Sequence, residues 1–155
     1  MVAETSMDVL GVDHVDLTVN DLARSIPFYE KVLGALGFRR VPHATYIAWA
    51  NAHLGIGLRP AERNAVFDRY RVGLHHLALR VRSRDEVGRF HGLLVREGIT
   101  VLDPPAEYPE YGPQYYAVFF ADPDGMKLEV VHFPWGYWRK VQSEGRDERP
   151  RYVPK

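Results

Sequence analysis

The sequence predicts an α+β protein made of two copies of one βαβββ module. Three observations carry that expectation: a duplicated segment, a helical period after each copy, and short strand-like runs after each helix. Gly11-Val12-Asp13-His14-Val15-Asp16-Leu17-Thr18-Val19 matches Gly73-Leu74-His75-His76-Leu77-Ala78-Leu79-Arg80-Val81 in its Gly, His and aliphatic positions, 62 residues further on. Apolar residues then recur at helical spacing, as Phe28, Val32 and Leu36 in 21–36 and as Val87, Phe90, Leu93 and Leu94 in 83–97. Asp21 or Ser25 can cap the first helix and Ser83 the second. Pro27 suits a first turn better than a helix interior, so the first helix is expected to begin near Ser25.

Gly37 and Gly98 end the helices, and strands are expected at 38–41, 45–50 and 53–58, then at 99–102, 114–121 and 126–133. Asp122-Pro123-Asp124-Gly125 has the residues of a tight turn, which makes a hairpin of the last two strands. The expected organisation is a first module over 1–60, a connector over 61–72, a second module over 73–133 and an aromatic, basic tail over 134–155.

Composition excludes several classes of function. Twenty Lys and Arg balance twenty Asp and Glu, so no field draws the protein to nucleic acid or an anionic bilayer. The absence of cysteine removes disulfides, thiolate metal sites and thiol nucleophiles, and leaves His, Asp and Glu to hold any metal. With no signal-like segment or membrane-spanning run, a cytoplasmic protein without nucleic-acid or membrane partners is expected.

Period-2 alternation assigns the strand faces. Val15, Leu17 and Val19 oppose His14, Asp16 and Thr18; Leu77, Leu79 and Val81 oppose His76, Ala78 and Arg80. The apolar sides cover the helices, which leaves both histidines on the helix-free faces. In the last strand Leu128 and Val130 face the helix, and Glu129 joins His76 on the other side. If the two modules turn these faces toward each other, His14, His76 and Glu129 can converge on one cation. Two imidazoles and a carboxylate form a facial triad that leaves coordination positions open for substrate, the arrangement of a catalytic rather than a closed structural site.

These residues resemble the vicinal oxygen chelate superfamily, which contains glyoxalase I, extradiol ring-cleaving dioxygenases, methylmalonyl-CoA epimerase, and fosfomycin and bleomycin resistance proteins. The segments that carry the resemblance are His14-Val-Asp-Leu-Thr-Val-Asn-Asp-Leu, Ser25-Ile-Pro-Phe-Tyr-Glu-Lys-Val-Leu-Gly34, His76-Leu-Ala-Leu-Arg-Val and Phe120-Ala-Asp-Pro-Asp-Gly-Met-Lys-Leu-Glu129. The resemblance implies paired modules forming a half-barrel around a metal cavity, with His14, His76 and Glu129 as ligands of one divalent ion, Fe(II) or Mn(II) ahead of Ni, Zn or Co. The fourth ligand of glyoxalase I-like members falls on Gly57, which has no side chain to offer, so the three-ligand branches are favoured. The leading expectation is a ring-cleaving dioxygenase-like oxidoreductase acting on a small oxygen-rich molecule. The alternatives are a glyoxalase-type lyase or isomerase, a fosfomycin-type transferase, or a metal-free small-molecule binding and resistance protein. A homodimer is expected, with modules paired within a chain or across two.

Further candidates surround this triad. Extradiol enzymes use a tyrosine on the penultimate strand; register from Pro123 puts Phe119 there, with Tyr115 and Tyr116 nearby, and Tyr116 is taken as the catalytic phenol. His53 is a candidate acid or base because imidazole titrates near neutrality. Arg80 and Arg59 are candidate anchors for a substrate carboxylate. Tyr108 and Tyr111, in the proline-rich segment 103–113, are candidates to stack on an aromatic substrate, whether that segment is a lid or a plain connector. Asp16 can orient an imidazole, and His75 reads as structural. The tail aromatics, Trp135, Tyr137 and Trp138, are expected to dock on the body or on a second subunit.

Overall fold

A computed structural model describes residues 9–134 and Gly136. The expected docking of Trp135, Tyr137 and Trp138 lies outside them. The described residues up to Gly73, together with Asp122–Met126, form one compact unit; Leu74–Ala121 and the described residues from Lys127 onward form the other.

The first unit runs β1 (His14–Val19), α1 (Leu22–Ala35), β2 (Arg39–Arg40), β3 (Ile47–Ala50) and β4 (Gly55–Pro60), with sheet order β1-β4-β3-β2. The second repeats it as β5 (Leu77–Val81), α2 (Arg84–Arg96), β6 (Val101–Glu107), β7 (Tyr116–Ala121) and β8 (Lys127–His132), in the order β5-β8-β7-β6. In both, the strand before the helix pairs in parallel with the last strand of its module. The helix is the crossover that such pairing needs.

Helix α1 begins earlier than Pro27 suggests. The Asp21 carboxylate accepts the Ala23 N–H at 2.8 Å and caps the helix, which starts at Leu22, three residues before Ser25. Pro27 therefore sits inside the helix, where it forfeits one backbone hydrogen bond. The buried stripe Ser25, Tyr29, Val32 and Leu33 compensates, each large apolar side chain being worth about 1.5–3 kcal/mol when fully buried. Phe28 and Leu36 are only half-buried. Ser83 caps α2 by accepting the Glu86 N–H, and Val87, Phe90 and Leu94 form its buried stripe.

Two side chains fasten the first unit. Trp49, buried on β3, donates its indole N–H to Glu30 at 2.8 Å. Asn20 exchanges hydrogen bonds with the backbone of Ala65, tying residues 61–72, which have no regular structure, to the end of β1.

In the second unit β6 extends into the proline-rich segment, so 103–113 is not the single lid or connector that its composition suggested. Val101–Glu107 is an edge strand, and its register shifts between Val101 and Asp103 and between Asp103 and Ala106. Pro104 and Pro105 occupy the irregular stretch, where no ladder N–H is required of them. A short 3₁₀ turn, Pro109–Tyr111, leads back to β7. The hairpin at Asp122-Pro123-Asp124-Gly125 is present, with Gly125 at φ 87°, a conformation that favours glycine.

Candidate metal centre

The register of the second sheet brings two of the three expected ligands together. Glu129 pairs with Ala78 on β5 and with Phe119 on β7, and the small alanine leaves room for the longer side chain. Oε2 of Glu129 lies 3.1 Å from Nε2 of His76. The Glu129 side chain has no solvent exposure, and Oε2 is buried without a hydrogen-bond partner among the described residues. Oε1 accepts the Tyr115 hydroxyl at 2.5 Å. On the other side of the His76 ring, Nδ1 is 2.8 Å from Nδ1 of His75. One of these nitrogens carries the shared proton; if it is His76's, Nε2 keeps a lone pair.

Aromatic residues surround the carboxylate on this helix-free face. Ala117, Phe119, Val131 and Phe133 form a buried cluster with Tyr108 and Tyr115 packed against it. Tyr108 stacks on Tyr111 with centroids 5.7 Å apart and meets Phe119 edge-on at 5.2 Å. The Arg80 guanidinium lies 5.8 Å over Phe133. Burial, then the Glu129 hydrogen bond, pushes the Tyr115 phenol well above its ordinary range, so it stays protonated and acts as a donor.

The phenol against Glu129 is therefore that of Tyr115. Tyr116 has the opposite pleat and lies under Arg84 of α2, 5.1 Å from guanidinium to ring. Counting back from the hairpin finds this: Phe119 opposes Glu129, Ala117 opposes Val131, and Tyr115 has the same parity.

In the first unit His14 is exposed at the start of β1, with Nδ1 2.8 Å from the Asp13 carboxylate. That hydrogen bond raises the imidazole pKa above its usual value. Two places along, Asp16 crosses β4. Its Oδ2 accepts Arg59 Nε at 3.0 Å, and its Oδ1 accepts the Tyr46 hydroxyl at 3.2 Å. A Cβ on Gly57 would sit 2.1 Å from Oδ1, so the carboxylate occupies the space above the glycine. The two sheets thus exchange their small and acidic residues: Asp16 faces Gly57 in the first, and Ala78 faces Glu129 in the second.

This cluster corrects one expectation: Asp16 is bound to Arg59 and Tyr46 rather than orienting an imidazole, while Arg59, the candidate carboxylate anchor, pairs with Asp16 and remains half exposed. His53 precedes β4, in a turn where Asn51 accepts its backbone N–H, so strand parity does not govern its direction. Among the described residues no three His, Asp or Glu side chains gather in one metal-binding group; His76 and Glu129 meet, and His14 belongs to the other unit.

Relatives agree with this architecture. A lactoylglutathione lyase of Escherichia coli O157:H7 is 32% identical, covering 76% of this chain and 89% of its own. A 2-epi-5-epi-valiolone epimerase of Actinomyces sp is 29% identical over 91% of this chain and 89% of its own. Metallothiol transferase FosB of Lysinibacillus sphaericus is 29% identical over 79% and 82%. In three dimensions, a glyoxylase/bleomycin resistance protein/dioxygenase domain from Frankia sp. EAN1pec superposes with a TM-score of 0.68 at 26% identity, over 82% of this chain and 100% of that one. The model of the Glyoxalase/Bleomycin resistance protein/Dioxygenase superfamily matches residues 11–130, and the chain belongs to that superfamily.

Proposed function

We propose that this protein is a divalent-metal enzyme of its superfamily, that His14, His76 and Glu129 are its ligands, and that it acts on a small molecule with adjacent oxygens. One observation carries the reading. Two atoms bound to the same cation at about 2.1 Å, at right angles, stand about 3.0 Å apart. Nε2 of His76 and Oε2 of Glu129 are 3.1 Å apart, and the oxygen is buried with no hydrogen bond of its own. A buried carboxylate oxygen left in that state is costly unless something binds it. The donor set, two imidazoles and a carboxylate without sulfur, suits Fe(II) or Mn(II) and tolerates Ni, Zn or Co.

When bound, the ion would act as a Lewis acid toward paired substrate oxygens. The chain's own part is to hold and shield the substrate. Tyr108 and Tyr111, beside the Glu129 face, offer ring faces to an aromatic substrate, and Arg80 stands on the same side as His76. That aromatic wall favours ring cleavage as the leading reaction. The second reading is a non-oxidative reaction, supported by relatives named as a lyase, an epimerase and a transferase. The proposed assembly is a homodimer.

Oxygen consumption separates the two. With Fe(II) restored under anaerobic conditions, a panel of catechols is expected to give about one O₂ consumed per ring opened, and none with His76→Ala. No uptake with any catechol by a protein that binds metal overturns ring cleavage in favour of the non-oxidative reaction.

A further inference from the structure

We propose that Tyr115 is a positioning residue of the metal centre, holding Glu129 so that Oε2 alone is presented beside Nε2 of His76. The proposal rests on the ligand assignment above and adds a residue to it. A free carboxylate can rotate about its last bond and can clasp a cation with both oxygens, which would consume a coordination position. Here the Tyr115 hydroxyl takes Oε1 at 2.5 Å, a short charge-assisted bond. The phenol is itself held on several sides: Phe133 at 5.0 Å, Tyr111 at 5.3 Å and Tyr108 at 6.5 Å between centroids. Rotating Glu129 would break that bond, which is part-buried against the aromatic cluster. Oε2 is thereby left facing His76, and a monodentate ligand keeps positions open for two substrate oxygens.

Removing the hydroxyl tests this. The full chain, stripped with chelator and dialysed, is titrated with Mn(II), and the free and bound ion are followed by electron paramagnetic resonance. Wild type is expected to bind about one Mn(II) per chain. Tyr115→Phe keeps the ring, so it is expected to weaken binding by about 10- to 100-fold and to change the bound-ion spectrum. Tyr111→Phe removes a hydroxyl from the same cluster without touching the Glu129 bond, and is expected to match wild type in affinity and spectrum. Affinity and spectrum unchanged in Tyr115→Phe would overturn the positioning role and leave the ligands standing. Equal losses in both variants would reduce Tyr115 to a packing residue. A wild-type chain that binds no Mn(II) would overturn the ligand assignment and the positioning role with it.

Discussion

Glu129→Gln is expected to weaken divalent-metal binding by more than about 100-fold and, in the metal-free protein, to raise stability by about 1–3 kcal/mol. The two effects share one cause. Folding takes this carboxylate wholly out of water, yet only one of its oxygens receives a hydrogen bond, from Tyr115. The other faces His76 at 3.1 Å without one. Glutamine keeps the shape, keeps an oxygen for Tyr115 and places an amide N–H donor toward His76 Nε2. The cost of the carboxylate then disappears, and so does the ligand. Gains of this kind are expected wherever a site is held ready for a charged ligand at the expense of the fold. Urea unfolding of the chelated proteins measures the first effect and a metal titration the second. A less stable metal-free Glu129→Gln would mean that Glu129 and His76 form a structural ion pair instead.

The largest loss of stability is expected at Asp122, in the β7–β8 turn that belongs with the first unit. Its carboxylate accepts the Tyr29 hydroxyl at 2.8 Å and the backbone N–H groups of Asp124 and Met126 at 2.9 and 2.8 Å. Asp122→Ala strands three donors and is expected to cost about 3–4 kcal/mol. Asp122→Asn retains acceptors and should cost less. The pH dependence has an uncommon sign. Burial, outweighing the hydrogen bonds that act the other way, raises this carboxyl above its ordinary range. The folded protein therefore holds the proton more tightly than the unfolded chain does. The contribution of Asp122 is fully present below the unfolded value near pH 4 and declines as pH rises through the folded value. Urea unfolding of wild type and Asp122→Asn from about pH 3.5 to 7 checks this: the wild-type advantage should be greatest at the acid end. An advantage growing toward neutral pH would contradict the assignment.

Much of this fold was legible in the sequence because it is duplicated. His14 and His76 stand at matching places, and alternation in β1 and β5 assigns their faces without knowledge of packing. Counting from the Asp-Pro-Asp-Gly turn gives the β7–β8 register, which sets Phe119 against Glu129. Alternation fails where the backbone leaves the regular ladder. His53 lies in a turn, and Pro104 and Pro105 lie where β6 shifts register. The start of α1 was hidden because a proline rule was weighed against a cap, and the Asp21 cap with the buried Tyr29 stripe prevailed. Local pattern could not show that Asp16 would fill the space over Gly57 and take Arg59 with it. Nor could it show that Tyr115, one strand away, would reach the Glu129 carboxylate.

The account stands on a cation held by His14, His76 and Glu129, and elemental analysis of the full chain, purified without chelator, tests that most directly. About one Fe, Mn, Ni, Co or Zn per chain is expected in wild type, falling about tenfold or more in His14→Ala, His76→Ala and Glu129→Gln, each still folded by circular dichroism. A wild-type protein without bound metal, or variants that retain as much as wild type, would contradict it.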